Sequence, residues 1–117
     1  MATVNDNGCI SVTLAATTPL YSRVTAAGVI AGAAVIDVGV TLEAGVAGQA
    51  VAVAARTKPG THKVIAAAAI ASGALVYTAA DGEVSTTGSF IRGQAMEAAG
   101  ADQDVIEIMP LVYPIPV

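Results

Sequence analysis

Ile36-Asp37-Val38-Gly39-Val40-Thr41-Leu42 places an apolar residue at every second position. That period belongs to a half-buried strand, whose side chains point alternately to core and solvent. On this reading Ile36, Val38, Val40 and Leu42 form the buried face of the strand. The alternation recurs in both directions along the chain. Ile10, Val12 and Leu14 are separated by Ser11 and Thr13, Val51 and Val53 alternate with Ala, and Ile106 and Ile108 bracket Glu107. Val, Ile and Thr make 36 of the 117 residues, and branching at Cβ suits a pleated surface. The 26 Ala residues pull toward helix, so spacing must decide. It decides for strands, with Ala filling small positions on sheets. The strongest helical competitor, Ile65 to Ala71, holds only about two turns.

Turn signals fall where short strands need them. Asn5-Asp6-Asn7-Gly8 precedes the first strand, Lys58-Pro59-Gly60-Thr61 divides two apolar runs, and Ala99 to Asp104 separates the last two strands. Ala80-Asp81-Gly82-Glu83 is the sharpest hairpin signal, because Asp-Gly supplies the positive φ angles of a primed turn. Six to nine short strands result. The expected fold is all-β, a small antiparallel β-sandwich or barrel with short turns. A weak internal echo sets Val29 to Ile36 beside Ala69 to Tyr77, each an Ala-Gly turn leading into an apolar strand. Two such copies do not make a solenoid.

Composition excludes several classes. The 11.5 kDa chain is 55% hydrophobic and 12% charged, too apolar for a disordered protein. A net charge of −4 with five basic residues is a poor match to nucleic acid, whose binding runs on clustered Lys and Arg. One Cys and one His cannot build a four-ligand Cys/His zinc site. The longest richly apolar run, Val64 to Ala80, falls short of the about 20 residues a membrane span needs, and no leader pattern opens the chain. The expectation is a soluble protein made in the cytoplasm.

Catalytic chemistry is sparse. His62 reads as a solvated loop histidine, since no motif supplies the orienting partner a general base needs. Cys9 reads as a small, partly buried apolar residue before the first strand. Asp81/Glu83 and Asp102/Asp104 lack the further oxygen ligands of a calcium loop, and turn chemistry explains both pairs. Gly45-Val46-Ala47-Gly48 is not a phosphate loop, and Tyr21, Tyr77, Phe90 and Tyr113 are too scattered for a stacking platform. No enzyme activity, cofactor or metal is expected.

The chain divides into a single β domain, 1–111, and an extended Pro-rich C-terminal tail, 112–117. The stretch Met109-Pro110-Leu111-Val112-Tyr113-Pro114-Ile115-Pro116 is uncharged and apolar, and its prolines oppose regular sheet pairing. Such a segment is a liability when exposed, so it should lie on its own sheet edge or on a partner subunit; the second is favoured, with these eight residues as the expected interface. Pro-rich extended segments lose little entropy on docking. An Ala-rich core with few large side chains is marginal for a chain this small. Both features point to a homo-oligomer.

The second half carries a resemblance. Ala69-Ile70-Ala71-Ser72-Gly73-Ala74-Leu75-Val76-Tyr77, then Asp81-Gly82-Glu83-Val84-Ser85, Ile91-Arg92-Gly93-Gln94-Ala95-Met96-Glu97-Ala98-Ala99 and Val105-Ile106-Glu107-Ile108 resemble the tailed-bacteriophage capsid cement or decoration proteins. The likeness covers roughly residues 24 to 111. Arg92 stands where that family runs Ile-Gly directly, which suggests a bulge. The resemblance implies a virion protein on the outer capsid surface that staples neighbouring major capsid protein subunits, as trimers first and dimers second. It implies no catalytic residue. An adhesion or carbohydrate-binding module of a virion fibre is the alternative, and a self-assembling bacterial shell or appendage subunit a third.

Overall fold

The computed structural model describes residues 9–57 and 60–110. Nine strands follow in order among these residues: β1 (Cys9–Thr13), β2 (Arg23–Val24), β3 (Gly39–Thr41), β4 (Ala50–Ala55), β5 (His62–Ile65), β6 (Leu75–Thr78), β7 (Val84–Ser85), β8 (Ile91–Ala95) and β9 (Val105–Pro110). They form two antiparallel sheets, β1-β4-β3-β2 and β5-β9-β8-β6-β7, one of them curled into a half-barrel. The all-β expectation holds. Ile65 to Ala71 forms no helix: Ala66 bridges to Val84 and Ile70 to Ala99. No helix among the described residues is long and apolar enough to cross a membrane.

The two sheets are versions of one plan. In the first, β1 pairs with β4, β4 with β3 and β3 with β2; the second repeats that order in β5-β9-β8-β6 and adds β7 beyond β6 at the edge. Hydrogen bonds repeat with the topology. Thr18 and Gly45 bridge in the first half as Ile70 and Ala99 do in the second. The Leu42 N–H donates to the Ala52 carbonyl, and the Met96 N–H to the Glu107 carbonyl, both at 2.9 Å. Side chains follow: Glu43 Oε2 accepts from the Ala52 N–H at 2.9 Å, and Glu97 Oε2 from the Glu107 N–H at 3.0 Å. The repeat therefore sets Gly39-Val40-Thr41-Leu42-Glu43-Ala44 over Gly93-Gln94-Ala95-Met96-Glu97-Ala98. The echo expected between Val29–Ile36 and Ala69–Tyr77 is not this correspondence. Gly39 and Gly93 mark the shared close approach, since a Cβ there would collide with the carbonyl oxygen of Ala54 or Met109 on the facing strand.

Each half keeps an apolar core. Val12, Leu14, Val24, Val51 and Val53 pack together in the first. In the second, Val64, Val76, Val84, Ile106 and Ile108 do so, joined across the halves by Val40. Alternation is obeyed at Val12/Leu14, Val51/Val53 and Ile106/Ile108. It fails in the stretch that defined the strand pattern. Ile36 and Leu42 are 37% and 44% exposed, whereas Asp37, Gly39 and Thr41 are buried. Both faces of β3 are covered, and polar partners wait on the face expected to meet solvent. Thr41 Oγ1 donates to the Pro19 carbonyl and accepts from the Ser22 N–H.

The Asp-Gly hairpin forms as expected. Asp81 and Gly82 have φ of 59° and 72°, and the Glu83 N–H closes the turn on the Ala80 carbonyl at 3.2 Å. Its tip reaches across to the first half, where the Gly82 N–H donates to the Ala31 carbonyl at 2.9 Å.

Candidate functional site

Among the described residues, the largest wholly buried side chains are two arginines, Arg23 and Arg92. Arg23 lies on β2 in the first half and Arg92 on β8 in the second. A β-bulge turns Arg92 inward: Val76 pairs with Gly93 and Tyr77 with Ile91, so Arg92 is the extra residue. Both cations meet Asp37, the residue that breaks the apolar run before β3. Arg23 Nη1 lies 3.3 Å from Asp37 Oδ1. Arg92 Nε donates to both carboxylate oxygens at 3.2 and 3.3 Å. Arg92 Nη2 stands 3.2 Å from Asp37 Oδ2, close enough for an ion pair but aimed too poorly for a hydrogen bond. All three side chains are 0% exposed.

Arg23 is caged further by main-chain oxygens from both halves. Its Nη2 donates to the Ala79 carbonyl at 2.6 Å and the Ala31 carbonyl at 3.3 Å, and its Nε to the Glu83 carbonyl at 3.1 Å. Two of those carbonyls flank the Asp-Gly turn. Arg92 is served less well: its Nη1 has no hydrogen-bond partner among the described residues. Desolvation lowers the pKa of both guanidiniums from the usual arginine value, Asp37 opposes that shift, and like charge from nearby Arg56 adds to it. Two cations thus share one carboxylate in a dry interior. The arrangement is suited to fixing how the halves dock, and it offers no exposed nucleophile or base.

The residues singled out from sequence lie elsewhere. Met109 and Pro110 belong to β9, with Met109 39% exposed and Pro110 paired to Gly93. The expectation that prolines oppose pairing fails at Pro110, which pairs with Gly93. Leu111, Val112, Tyr113, Pro114, Ile115 and Pro116 lie outside the described residues, as do Asn5 to Gly8 and the Lys58-Pro59 step.

His62 is a correction. It opens β5 at 4% exposure, facing the interior rather than solvent, because it occupies an inward position of the β5/β9 ladder opposite Ile108. Cys9 is half-buried as expected and opens β1 rather than preceding it. Asp104 acts as a turn residue, its Oδ2 accepting from the N–H groups of Gly100 and Ala101. Among the described residues no group of three or more His, Cys, Asp or Glu could hold a metal ion. The Arg23–Asp37–Arg92 cluster was missed. Its signal was present: three lone charges set inside otherwise apolar or small-residue runs, where a solvated charge has no reason to sit.

A second feature opens at the surface. A cavity of about 190 Å³ lies where β3 and β4 meet the start of β5, lined by Tyr21, Val40, Leu42, Ala54, Thr61, His62 and Lys63. Val40, Leu42 and Ala54 give it an apolar lining, to which Tyr21 and Lys63 add a phenol and an ammonium. Thr61 Oγ1 donates to Glu107 Oε2 beside it. Tyr21 holds φ at 63°, a left-handed conformation that a bulky side chain seldom adopts. The Tyr21 N–H is tied to the Thr41 carbonyl at 3.0 Å, which fixes the backbone there.

These features define a small all-β protein of two like antiparallel sheets, locked by a buried ion cluster and open at one apolar groove. No protein-family model matches the sequence, and no curated protein matches it. Among solved structures, the fold is similar to the head fiber gp8.5 N base of bacteriophage phi29. The two share 18% identity and a TM-score of 0.71, over 88% of this chain and 92% of that chain. At that identity the likeness is one of fold.

Proposed function

We propose that this chain is a structural protein of a phage virion, which binds the outer surface of the assembled capsid as a homo-oligomer and staples neighbouring major capsid protein subunits. The observation that carries the reading is the fold likeness to a phage head fiber base across nearly the whole of both chains. The sequence resemblance to capsid decoration proteins supplies the finer, capsid-stapling part of the reading. A protein that binds the assembled lattice and not free subunits stabilises that lattice by mass action. Many weak copies on one shell add as avidity. Trimers at threefold and quasi-threefold positions are the first expectation and dimers the second.

A virion-fibre module is the second reading, favoured by the neighbour's being a head fiber base. On that reading the groove beside Tyr21 engages a glycan or a host surface. Cosedimentation with empty shells built from the major capsid protein of the same genome separates the two. Saturable binding to shells and none to unassembled subunits supports the capsid reading. Absence of shell binding, with retention on a glycan array, overturns it in favour of the fibre module.

A further inference from the structure

We infer that the arginine cluster at the join of the two halves binds one small inorganic anion, a chloride ion held by Arg92 and Arg56. The inference goes beyond the virion reading and does not rest on it. Charge comes first. Arg23 and Arg92 both meet Asp37, and Arg56 adds a third positive charge close enough to act on each of them. Arg56 follows β4, and its N–H donates at 2.8 Å to the carbonyl of Val38, the residue after Asp37. Among the described residues, Asp37 is the one carboxylate that acts on either buried arginine. Positive charge is therefore in excess where an uncompensated charge is costly.

The hydrogen bonds show on which side that excess lies. Arg23 is served by Asp37 Oδ1 and by the carbonyls of Ala31, Ala79 and Glu83. Asp37 has little left to give. Its Oδ1 accepts from Arg23 Nη1 and Arg92 Nε, and its Oδ2 accepts from Arg92 Nε and lies against Arg92 Nη2. What remains is Arg92 Nη1 and Nη2 and Arg56 Nε, each buried and each without a hydrogen-bond partner among the described residues. Two neighbouring guanidiniums thus carry donors that the chain itself does not satisfy, and a guanidinium can only donate.

Chloride fits this chemistry. It accepts from any direction and supplies the missing charge, whereas a water brings no charge and has protons of its own to place. The side chains of Arg23, Asp37 and Arg92 are all 0% exposed, so a monatomic ion suits the interior better than phosphate or sulfate. Arg56 is half-buried, and the ion enters and leaves on its side. Once seated, the ion ties Arg92 on β8 to Arg56 at the end of β4, adding a contact between the halves.

The test is thermal melting of the full chain at constant ionic strength, with chloride replacing gluconate, an anion too bulky for the site. An ion that binds only the folded chain should raise the midpoint with the logarithm of its concentration. Each tenfold increase then stabilises the fold about tenfold once the site is in use. Arg56→Gln removes a half-buried ligand and should flatten that dependence, whereas Lys63→Gln, which removes an exposed cation, should leave it unchanged. Asp37→Asn deletes the competing carboxylate and should move the rise to lower chloride. In crystals grown with bromide, anomalous scattering should place one ion within hydrogen-bonding distance of Arg92 Nη1. A midpoint indifferent to chloride overturns the inference. So does a dependence that Arg56→Gln and Lys63→Gln reduce equally, since that reports overall charge. Bromide confined to the surface, with a water beside Arg92, overturns it too.

Discussion

The two halves share a plan and differ in what they bury. The order of four strands, the paired bridges and the Glu43/Glu97 contacts coincide, with β7 an addition to the second half. The cores do not: Val51 and Val53 in the first stand where Ile106 and Ile108 stand in the second. The largest departure is ionic. The first half contributes Arg23 and Asp37, the second contributes Arg92 on a bulge, and the three meet at the join. The halves thus share a strand plan, fill it with different core side chains, and meet at a charge cluster that is not repeated.

The largest effect should come from breaking that cluster. Asp37→Ala leaves two buried guanidiniums facing each other, and removing one partner of a buried ion pair costs about 3–5 kcal/mol. Thermal melting followed by circular dichroism should show a large fall in midpoint. Replacing all three members together, as Arg23→Met, Asp37→Leu and Arg92→Met, should cost far less, since the desolvation penalty goes with the charges. A triple variant as unstable as Asp37→Ala would mean that shape, not charge, holds the halves together.

Next in size are the cores. Leu14→Ala and Ile106→Ala each empty a fully buried site, worth about 2–5 kcal/mol. With the ion cluster intact, each should shift one shared unfolding transition in urea. In the Asp37→Ala background the halves should melt separately, and each core variant should move only its own transition. A single transition in every background would make the two cores one cooperative unit, independent of the ions.

Much of this was legible in the sequence, and what was not has a common cause. Local signals read correctly: the alternations at Ile10–Leu14, Val51–Val53 and Ile106–Ile108 and the Asp81-Gly82 turn depend on residues a few positions apart, whereas the bulge at Arg92 was expected from the departure from the resembled family's Ile-Gly pattern. The misreadings depend on partners far along the chain. Asp37 turns inward because arginines from β2 and β8 await it, and no window around Ile36–Leu42 contains Arg92. His62 is buried by its place beside β9, whose register is set by pairing, not by neighbours in sequence. The repeat escaped notice for a related reason. It lives in hydrogen bonds to main-chain groups, which any side chain at the accepting position permits, so only Gly, Glu and Ala persist at matching places.

Smaller, and sharper as a test of the duplicated plan, is the Glu43/Glu97 pair. Each carboxylate accepts one N–H from the strand that follows, Ala52 in one half and Glu107 in the other. Both side chains are exposed, so neither bond has the full strength of a buried charge-assisted one. Glu43→Ala and Glu97→Ala should therefore each cost about 0.5–1.5 kcal/mol, the usual net worth of one hydrogen bond. Amide hydrogen exchange reports each locally: Ala52 should lose protection in the first variant and Glu107 in the second, each leaving the other's site unchanged. Equal and separate losses mean that the contact is a device of the half, copied with it. Loss at both sites from one substitution would mean that the halves communicate through the join, and that the ion cluster transmits strain as well as fixing alignment.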